Sequence, residues 1–168
     1  MESFSFYSYL DTLEKLKLDH ITVPKEMVIK IGGIGTRLLC SINDYSPFHC
    51  GMVAKGGGTA YITVSKAHQK EFGVSFNEKL HVSLTLDHSK YGAFVSEELE
   101  ALLEQDRAGS LLFEKLNPSQ QRYIIHYIGG VKSSQKKIER AILLINNLKT
   151  MGDTFDFRHL LGLPPREY

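Results

Sequence analysis

The sequence predicts an α+β protein, with its strands in the first half of the chain and its helices in the second. Apolar and polar residues alternate over residues 3–10 and 80–86, a period of two that is typical of half-buried strands. After about residue 90 the apolar residues instead recur every three or four positions, which is typical of helices. A chain whose strands precede its helices is expected to form an α+β fold rather than a doubly wound sheet.

The first half, residues 1–90, is expected to form one β-rich domain. Turn-forming residues divide it into short runs that predict strands at residues 3–10, 20–23, 36–43, 47–53, 60–64 and 80–86. Residues 44–47 have the chemistry of a turn, so the third and fourth strands are predicted to form a hairpin. The alternation predicts a core that contains Phe4, Phe6, Leu38, Ile62, Val64, Val82, Leu84 and Leu86.

Two short helices are predicted among these strands. The first spans residues 25–31 and ends at Gly32-Gly33, and the second is capped by Ser65 and ends before Gly73. The glycines suit the left-handed backbone at helix ends.

The second half is expected to be a small helical domain over residues 91–152, followed by a tail at 153–168. Ser96 is predicted to cap one helix, and Asn117-Pro118-Ser119-Gln120 has the pattern of a capping box that opens another. The last long helix, near residues 134–148, is predicted to bury Ile138, Ala141, Ile142, Ile145 and Leu148. The tail is expected to be irregular, with apolar residues available to pack back on the body, namely Phe155, Phe157, Leu160 and Leu161.

Composition and charge exclude several classes of protein. With 42% hydrophobic and 23% charged residues, the 168-residue chain is neither disordered nor fibrous. No apolar run approaches the ~20 residues that cross a bilayer, and the N-terminus lacks a signal-peptide pattern, so we expect a cytoplasmic protein without membrane insertion. Cys40 and Cys50 are expected to be reduced thiols, and their position on one hairpin leaves open whether they approach each other.

No motif in the sequence identifies a catalytic residue, a metal ligand or a cofactor site. The glycine-rich segments at 31–36 and 55–59 lack the spacing of a phosphate-binding loop, and tight turns explain both. The seven histidines are dispersed, without the spacing of a zinc site. The sequence also contains no Gly-x-Ser-x-Gly pattern. These features favour a binding protein over an enzyme, with no catalytic residue, metal or cofactor expected.

Charge is segregated along the helical half. Six acidic residues and one arginine lie between residues 97 and 114, whereas seven basic residues and one glutamate lie between 115 and 149. A basic face beside Tyr123 and Tyr127 is a candidate site for a polyanion such as a phosphate backbone. Its members are Arg122, Lys132, Lys136, Lys137 and Arg140. The alternative is that the basic helices lie against the acidic one, or are simply solvated.

Two sets of segments in the chain follow a known family pattern. The first set is Gly58, the run Tyr61 to Ser65 and Phe72-Gly73. The second set is residues 113–119, then Arg122-Tyr123, Ile128 and the basic run from Lys132 to Arg140. Together they resemble the DUF1905 family followed by a bacteriocin-protection, YdeI/OmpD-associated motif. Around that run this sequence keeps Lys132 and Arg140, but it has Val131, Gln135, Lys136 and Lys137 in place of the rest of the family's pattern, including its Glu-Thr-Arg.

The resemblance covers about residues 4–152 and implies a double-split β-barrel followed by a small helical unit. The shape would be similar to that of AbrB-type transition-state regulators, but closed by a single chain. No catalytic residues are implied. The leading hypothesis is a non-enzymatic binding or stress- and bacteriocin-protection protein, monomeric or weakly dimeric. The alternatives are a nucleic-acid-binding protein by analogy of shape, and a small-molecule binder or enzyme with a cleft between barrel and helices.

Overall fold

The computed structural model describes residues 2–167, which divide into two compact units. The first ends at Gly92 and the second begins at Ala93. The first contains all seven strands and two helices of the described chain, and the second contains five helices. The α+β class and the order of strands before helices are therefore as the sequence predicts.

The first unit is a curled antiparallel sheet with two short helices in its connections. Its elements are β1 (Ser3–Leu13), β2 (Leu18–Val23), α1 (Lys25–Ile31), β3 (Arg37–Ile42), β4 (Phe48–Gly51), β5 (Val53–Gly56), β6 (Thr59–Thr63), α2 (Lys66–Glu71) and β7 (Lys79–Leu86). The strand order is β4-β3-β7-β1-β2-β6-β5. We call this part of the chain the β unit.

Two features of the strand arrangement make the sheet curl. The first part of β1 pairs with β7 and its last four residues pair with β2, so one strand belongs to both halves of the sheet. Strands β4 and β5 lie at opposite edges of the sheet, yet only Met52 separates them in sequence. The two edges must therefore come together, which makes the sheet a half-barrel around a single core.

The strand alternation predicts this core well. Seven of the eight predicted core residues are buried, and Leu86 is partly buried against the same cluster. The alternation succeeds because successive side chains of a strand point to opposite faces, so one buried face determines the orientation of every residue.

The predicted strand at 47–53 is wrong in extent. The chain forms β4, breaks at the buried Met52 and resumes as β5, whose residues the sequence had assigned in part to a turn. The predicted turn between β3 and β4 is centred on Asn43 and Asp44, which adopt positive φ angles of 49° and 61°. The local helix signals hold: α1 ends at Gly32 with φ 105°, and Ser65 accepts a hydrogen bond from the His68 N–H.

The second unit is a cluster of helices, which we call the helical unit. Its elements are α3 (Glu97–Gln105), α4 (Arg107–Lys115), α5 (Pro118–Gly129), α6 (Ser134–Thr150) and α7 (Phe157–Leu160). Ser96 caps α3, and the predicted capping box at Asn117 and Gln120 is present in both directions. Helix α4 was not predicted; the Asp106 carboxylate caps it and was the signal available in the sequence.

Helix α6 buries three of its five predicted core residues but is rotated from the predicted orientation. Ala141, Leu144, Ile145 and Leu148 are buried, whereas Ile138 is 39% exposed and Ile142 is 46% exposed. The prediction was wrong for these two isoleucines because α6 contacts α3, α4 and α5, and the positions of those helices decide its orientation. Helix α4 approaches α6 so closely that a Cβ at Gly109 would overlap the Ile145 side chain.

The tail folds back on its own chain. Leu160 of α7 is fully buried, and the Asn147 side chain of α6 donates a hydrogen bond to its carbonyl oxygen at 3.0 Å. Phe157 meets the Tyr123 ring edge-on at 4.5 Å while remaining half exposed. The expected packing of apolar tail residues is thus present, and it includes one short helix.

Candidate functional site

Two of the five predicted polyanion-binding residues are held by contacts inside the helical unit. Arg140 donates from Nη1 to the Tyr127 carbonyl oxygen at 2.6 Å, and its guanidinium lies 4.3 Å from the centroid of the Tyr127 ring. Lys137 lies 4.0 Å from a carboxylate oxygen of Glu98. Both side chains therefore help to hold helices together in addition to carrying charge.

The other three residues differ in exposure. Lys132 and Lys136 are exposed near the start of α6, and their ammonium groups make no ion pair within residues 2–167. Arg122 is partly buried on α5. The basic residues predicted from the sequence thus comprise two exposed cations and three side chains that lie closer to the body of the unit.

Helix α6, which carries most of the basic residues, lies against the acidic segment at residues 97–114, in agreement with the alternative interpretation of the charge pattern. Besides the Lys137–Glu98 pair, Lys149 forms an ion pair with Asp106, and the Asp106 carboxylate also accepts a hydrogen bond from the Gly109 N–H at 2.9 Å. The hydrogen bond from Lys149 is the main reason that the pKa of Asp106 is lowered. The Ser134 hydroxyl has the largest part in lowering the pKa of Glu98.

A groove of about 460 Å³ runs between α3 and α6. Its lining residues recur at helical spacing on the two facing helices: Glu97, Glu98, Ala101, Leu102, Gln105, Ser134, Ile138, Ala141 and Ile142. Ala101 and Ala141 contribute only methyl groups to the lining, and the two exposed isoleucines contribute most of its apolar surface. We call this feature the α3–α6 groove.

The chemistry of the α3–α6 groove is that of a binding surface. Its walls offer apolar contact through Leu102, Ile138 and Ile142, and its charged lining residues are the acids Glu97 and Glu98. No histidine, cysteine or lysine is among its lining residues, and its one hydroxyl is that of Ser134. The sequence reasoning missed this groove because it assigned both isoleucines to the core.

The remaining motifs are placed as follows. The glycines at 56–58 form the tight connection between β5 and β6, all three with positive φ. Within the described residues 2–167 no group of three His, Cys, Asp or Glu side chains could hold a metal ion. In the same part of the chain no helix has the length and apolarity that a bilayer crossing needs.

The two cysteines approach each other. Cys40 and Cys50 lie on the paired strands β3 and β4, both are buried, and both are free thiols. A hydrogen bond with Cys50, together with burial, raises the pKa of the Cys40 thiol. The two cysteines are therefore neighbouring core residues, joined by a hydrogen bond.

Comparison with known proteins connects the helical unit to one family. Residues 93–150 match a family model described as "Bacteriocin-protection, YdeI or OmpD-Associated". No curated protein matches the chain. The matched segment contains the whole α3–α6 groove and all five predicted basic residues. The helical unit is thus similar to this family, which supports that part of the resemblance seen in the sequence.

Proposed function

We propose that this protein is a non-enzymatic binding protein whose helical unit takes up an amphipathic, basic helix of a peptide partner in the α3–α6 groove. The observation that carries the proposal is the exposure of Ile138 and Ile142 beside two acidic residues in a preformed groove. The family description supports a role in protection against a bacteriocin.

The apolar part of the groove favours a helical occupant. Ile138 and Ile142 are one turn apart on α6, and Leu102 faces them from α3. A helix inserts apolar residues at the same spacing, which is the usual mode of helix-in-groove recognition. The small side chains of Ala101 and Ala141 allow its backbone to approach closely. Burial of one isoleucine contributes about 1.5–3 kcal/mol.

The charge of the groove favours a basic occupant. Glu97 lines the groove and is exposed. The carboxylate of Glu98 is hydrogen-bonded to Ser134 and forms an ion pair with Lys137. Antimicrobial peptides are commonly amphipathic helices with Lys and Arg on the polar face. A peptide of that chemistry would place apolar residues on the isoleucines and a basic residue near Glu97, so a peptide bacteriocin is the partner that we propose.

Binding of a fluorescent amphipathic peptide tests the proposal. A synthetic helix of leucine and lysine should bind the purified protein saturably, as measured by fluorescence anisotropy. The double variant Ile138→Ser/Ile142→Ser should weaken binding about tenfold or more, because it removes the apolar wall. Glu97→Gln should weaken binding a few-fold and reduce its dependence on salt.

Leu143→Ser is the matched control for the isoleucine variant. Leu143 is 42% exposed on the same helix but does not line the groove. It should leave peptide binding unchanged. Equal loss in the control, or undiminished binding in the double variant, would contradict the groove as the binding site.

A second candidate function is binding of a polyanion such as nucleic acid at Arg122, Lys132, Lys136, Lys137 and Arg140. The exposure of Lys132 and Lys136 supports it. Removing the charges of Lys132 and Lys136 would abolish a salt-sensitive affinity for duplex DNA or RNA while leaving peptide binding intact. Binding that survives this change would exclude Lys132 and Lys136 from the polyanion site.

For the β unit we propose a double-split barrel of the DUF1905 type, in a protein that works in the cytoplasm. The break between β4 and β5 and the division of β1 between two partners support the barrel. The two free thiols on adjacent strands suit a reducing compartment.

A further inference from the structure

The β unit contains a cavity at a place where the sheet is not continuous. It has a volume of about 260 Å³ and lies between β4 and the segment that joins β6 to α2. Its lining residues are Phe48, His49, Cys50, Gly51, Thr63, Ser65 and His68. We call it the β4 cavity. None of these residues belongs to the helical unit or to the basic face.

One lining residue of the cavity, His49, is paired with an aspartate. Nδ1 of His49 lies 2.8 Å from Oδ2 of Asp87, whose side chain is 1% exposed. The other carboxylate oxygen accepts hydrogen bonds from the Ser89 N–H at 2.9 Å and from its hydroxyl at 2.6 Å. Asp87 thus has a partner on each oxygen, and its position orients the imidazole of His49.

These contacts determine the tautomer of His49. Burial by itself would raise the pKa of Asp87, but the hydrogen bonds from Ser89 and His49 outweigh it and lower the pKa. The carboxylate is therefore an acceptor, and Nδ1 of His49 must carry the proton that it donates. In the neutral imidazole this leaves a lone pair on Nε2, and Nε2 makes no hydrogen bond within residues 2–167.

The rest of the cavity suits a flat ring. The imidazole of His68 packs on the ring of Phe48 at 4.3 Å between centroids, which gives an aromatic wall. Gly51 adds no side chain, and Ser65 places a hydroxyl at the edge. An apolar cavity of about 150 Å³ holds a benzene molecule, so this one has room for a single substituted ring.

We propose that the β4 cavity binds a small aromatic alcohol of the phenol class, with its O–H donated to Nε2 of His49. The ring would lie against Phe48 and His68. For an acidic phenol the O–H bond breaks, the proton moves to Nε2, and the electron pair stays on the phenolate oxygen. The imidazolium that forms is then paired with the Asp87 carboxylate. This site goes beyond the proposed peptide binding and is independent of the α3–α6 groove.

Titration with para-nitrophenol tests the site, because its phenolate absorbs visible light and the phenol does not. Wild-type protein should bind it saturably with growth of the phenolate band. His49→Gln should lower the affinity by about tenfold or more, since a hydrogen bond to a charged group is lost. Asp87→Asn should abolish the growth of the phenolate band on binding, because an amide in place of the carboxylate favours the opposite tautomer of His49.

Two controls keep the result specific. His81→Gln removes another half-exposed strand histidine, one that contacts Tyr7 and does not line the cavity, and it should bind as wild type does. Para-nitroanisole, which has the same ring but no O–H, should bind about tenfold more weakly or worse. If Asp87→Asn does not fold, the ligand pair and His49→Gln still decide. Equal affinity for both ligands, or a proton on Nε2 of His49 in nitrogen NMR spectra of the free protein, would overturn the proposal.

Discussion

The β unit and the helical unit differ in how much of their packing follows from local sequence. In the β unit, alternation identifies the buried side chains almost without error, and Leu86 alone among the predicted core residues is only partly buried. In the helical unit, the ends of the helices follow the sequence closely, but α6 is rotated from the predicted orientation, so that Ile138 and Ile142 are exposed. A strand has two faces, whereas a helix can present any part of its circumference.

This difference has a functional consequence. The two isoleucines that the pattern assigns to the core, Ile138 and Ile142, are the residues that make the α3–α6 groove apolar. An apolar residue that the packing of its own helix does not bury is available to a partner. The wrong prediction therefore falls at the candidate binding site.

The largest expected effect comes from neighbouring residues of β3. Leu38 is fully buried and Leu39 is only partly buried, since they point to opposite faces of the sheet. Leu38→Ala should lower the free energy of unfolding by about 2–5 kcal/mol, and Leu39→Ala by about 1 kcal/mol. Urea unfolding followed by circular dichroism measures both. Similar losses at the two positions would show that alternation does not govern the core.

The matching test in α6 compares Leu144 with Ile142. Leu144 is fully buried and Ile142 is 46% exposed. Leu144→Ala should cost about 2–3 kcal/mol, at the lower end of the range because packed helices can shift to close a cavity. Ile142→Ala should change stability by no more than about 0.5 kcal/mol, since alanine favours the helix. The same unfolding measurement applies. A loss of stability at Ile142 larger than that at Leu144 would mean that α6 packs in the orientation predicted from the sequence.

An effect smaller than those at Leu38 and Leu144 is expected from an electrostatic contact where α2 joins the sheet. The Asp19 carboxylate forms an ion pair with Lys66 and accepts hydrogen bonds from Gln69 and Thr12, each at 2.8 Å. The hydrogen bond from Lys66 has the largest part in lowering the pKa of Asp19 from 3.8 to about 2. Because the pKa is lower in the folded state, this stabilisation is complete above pH 3.8 and is lost as the pH falls through about 2.

Asp19→Asn should therefore reduce stability by about 1.5 kcal/mol at neutral pH. The difference from wild type should shrink as the pH falls from 4 towards 2. Unfolding curves recorded over this pH range provide the measurement. A difference that stays constant across the range would mean that the charge of Asp19 is not what stabilises the contact.

The sequence by itself determined the class of fold, the order of strands and helices, the core of the sheet and most helix ends. These features depend on contacts within a few residues, such as the Asn117–Gln120 capping box or the alternation in β1. Only the tertiary structure decided the orientation of α6, the break at Met52 and the pairing of His49 with Asp87. His49 and Asp87 are 38 positions apart, so no local spacing in the sequence predicts that His49 Nδ1 lies 2.8 Å from Asp87 Oδ2. Both candidate sites depend on such distant contacts, which is why neither could be located from the residue pattern.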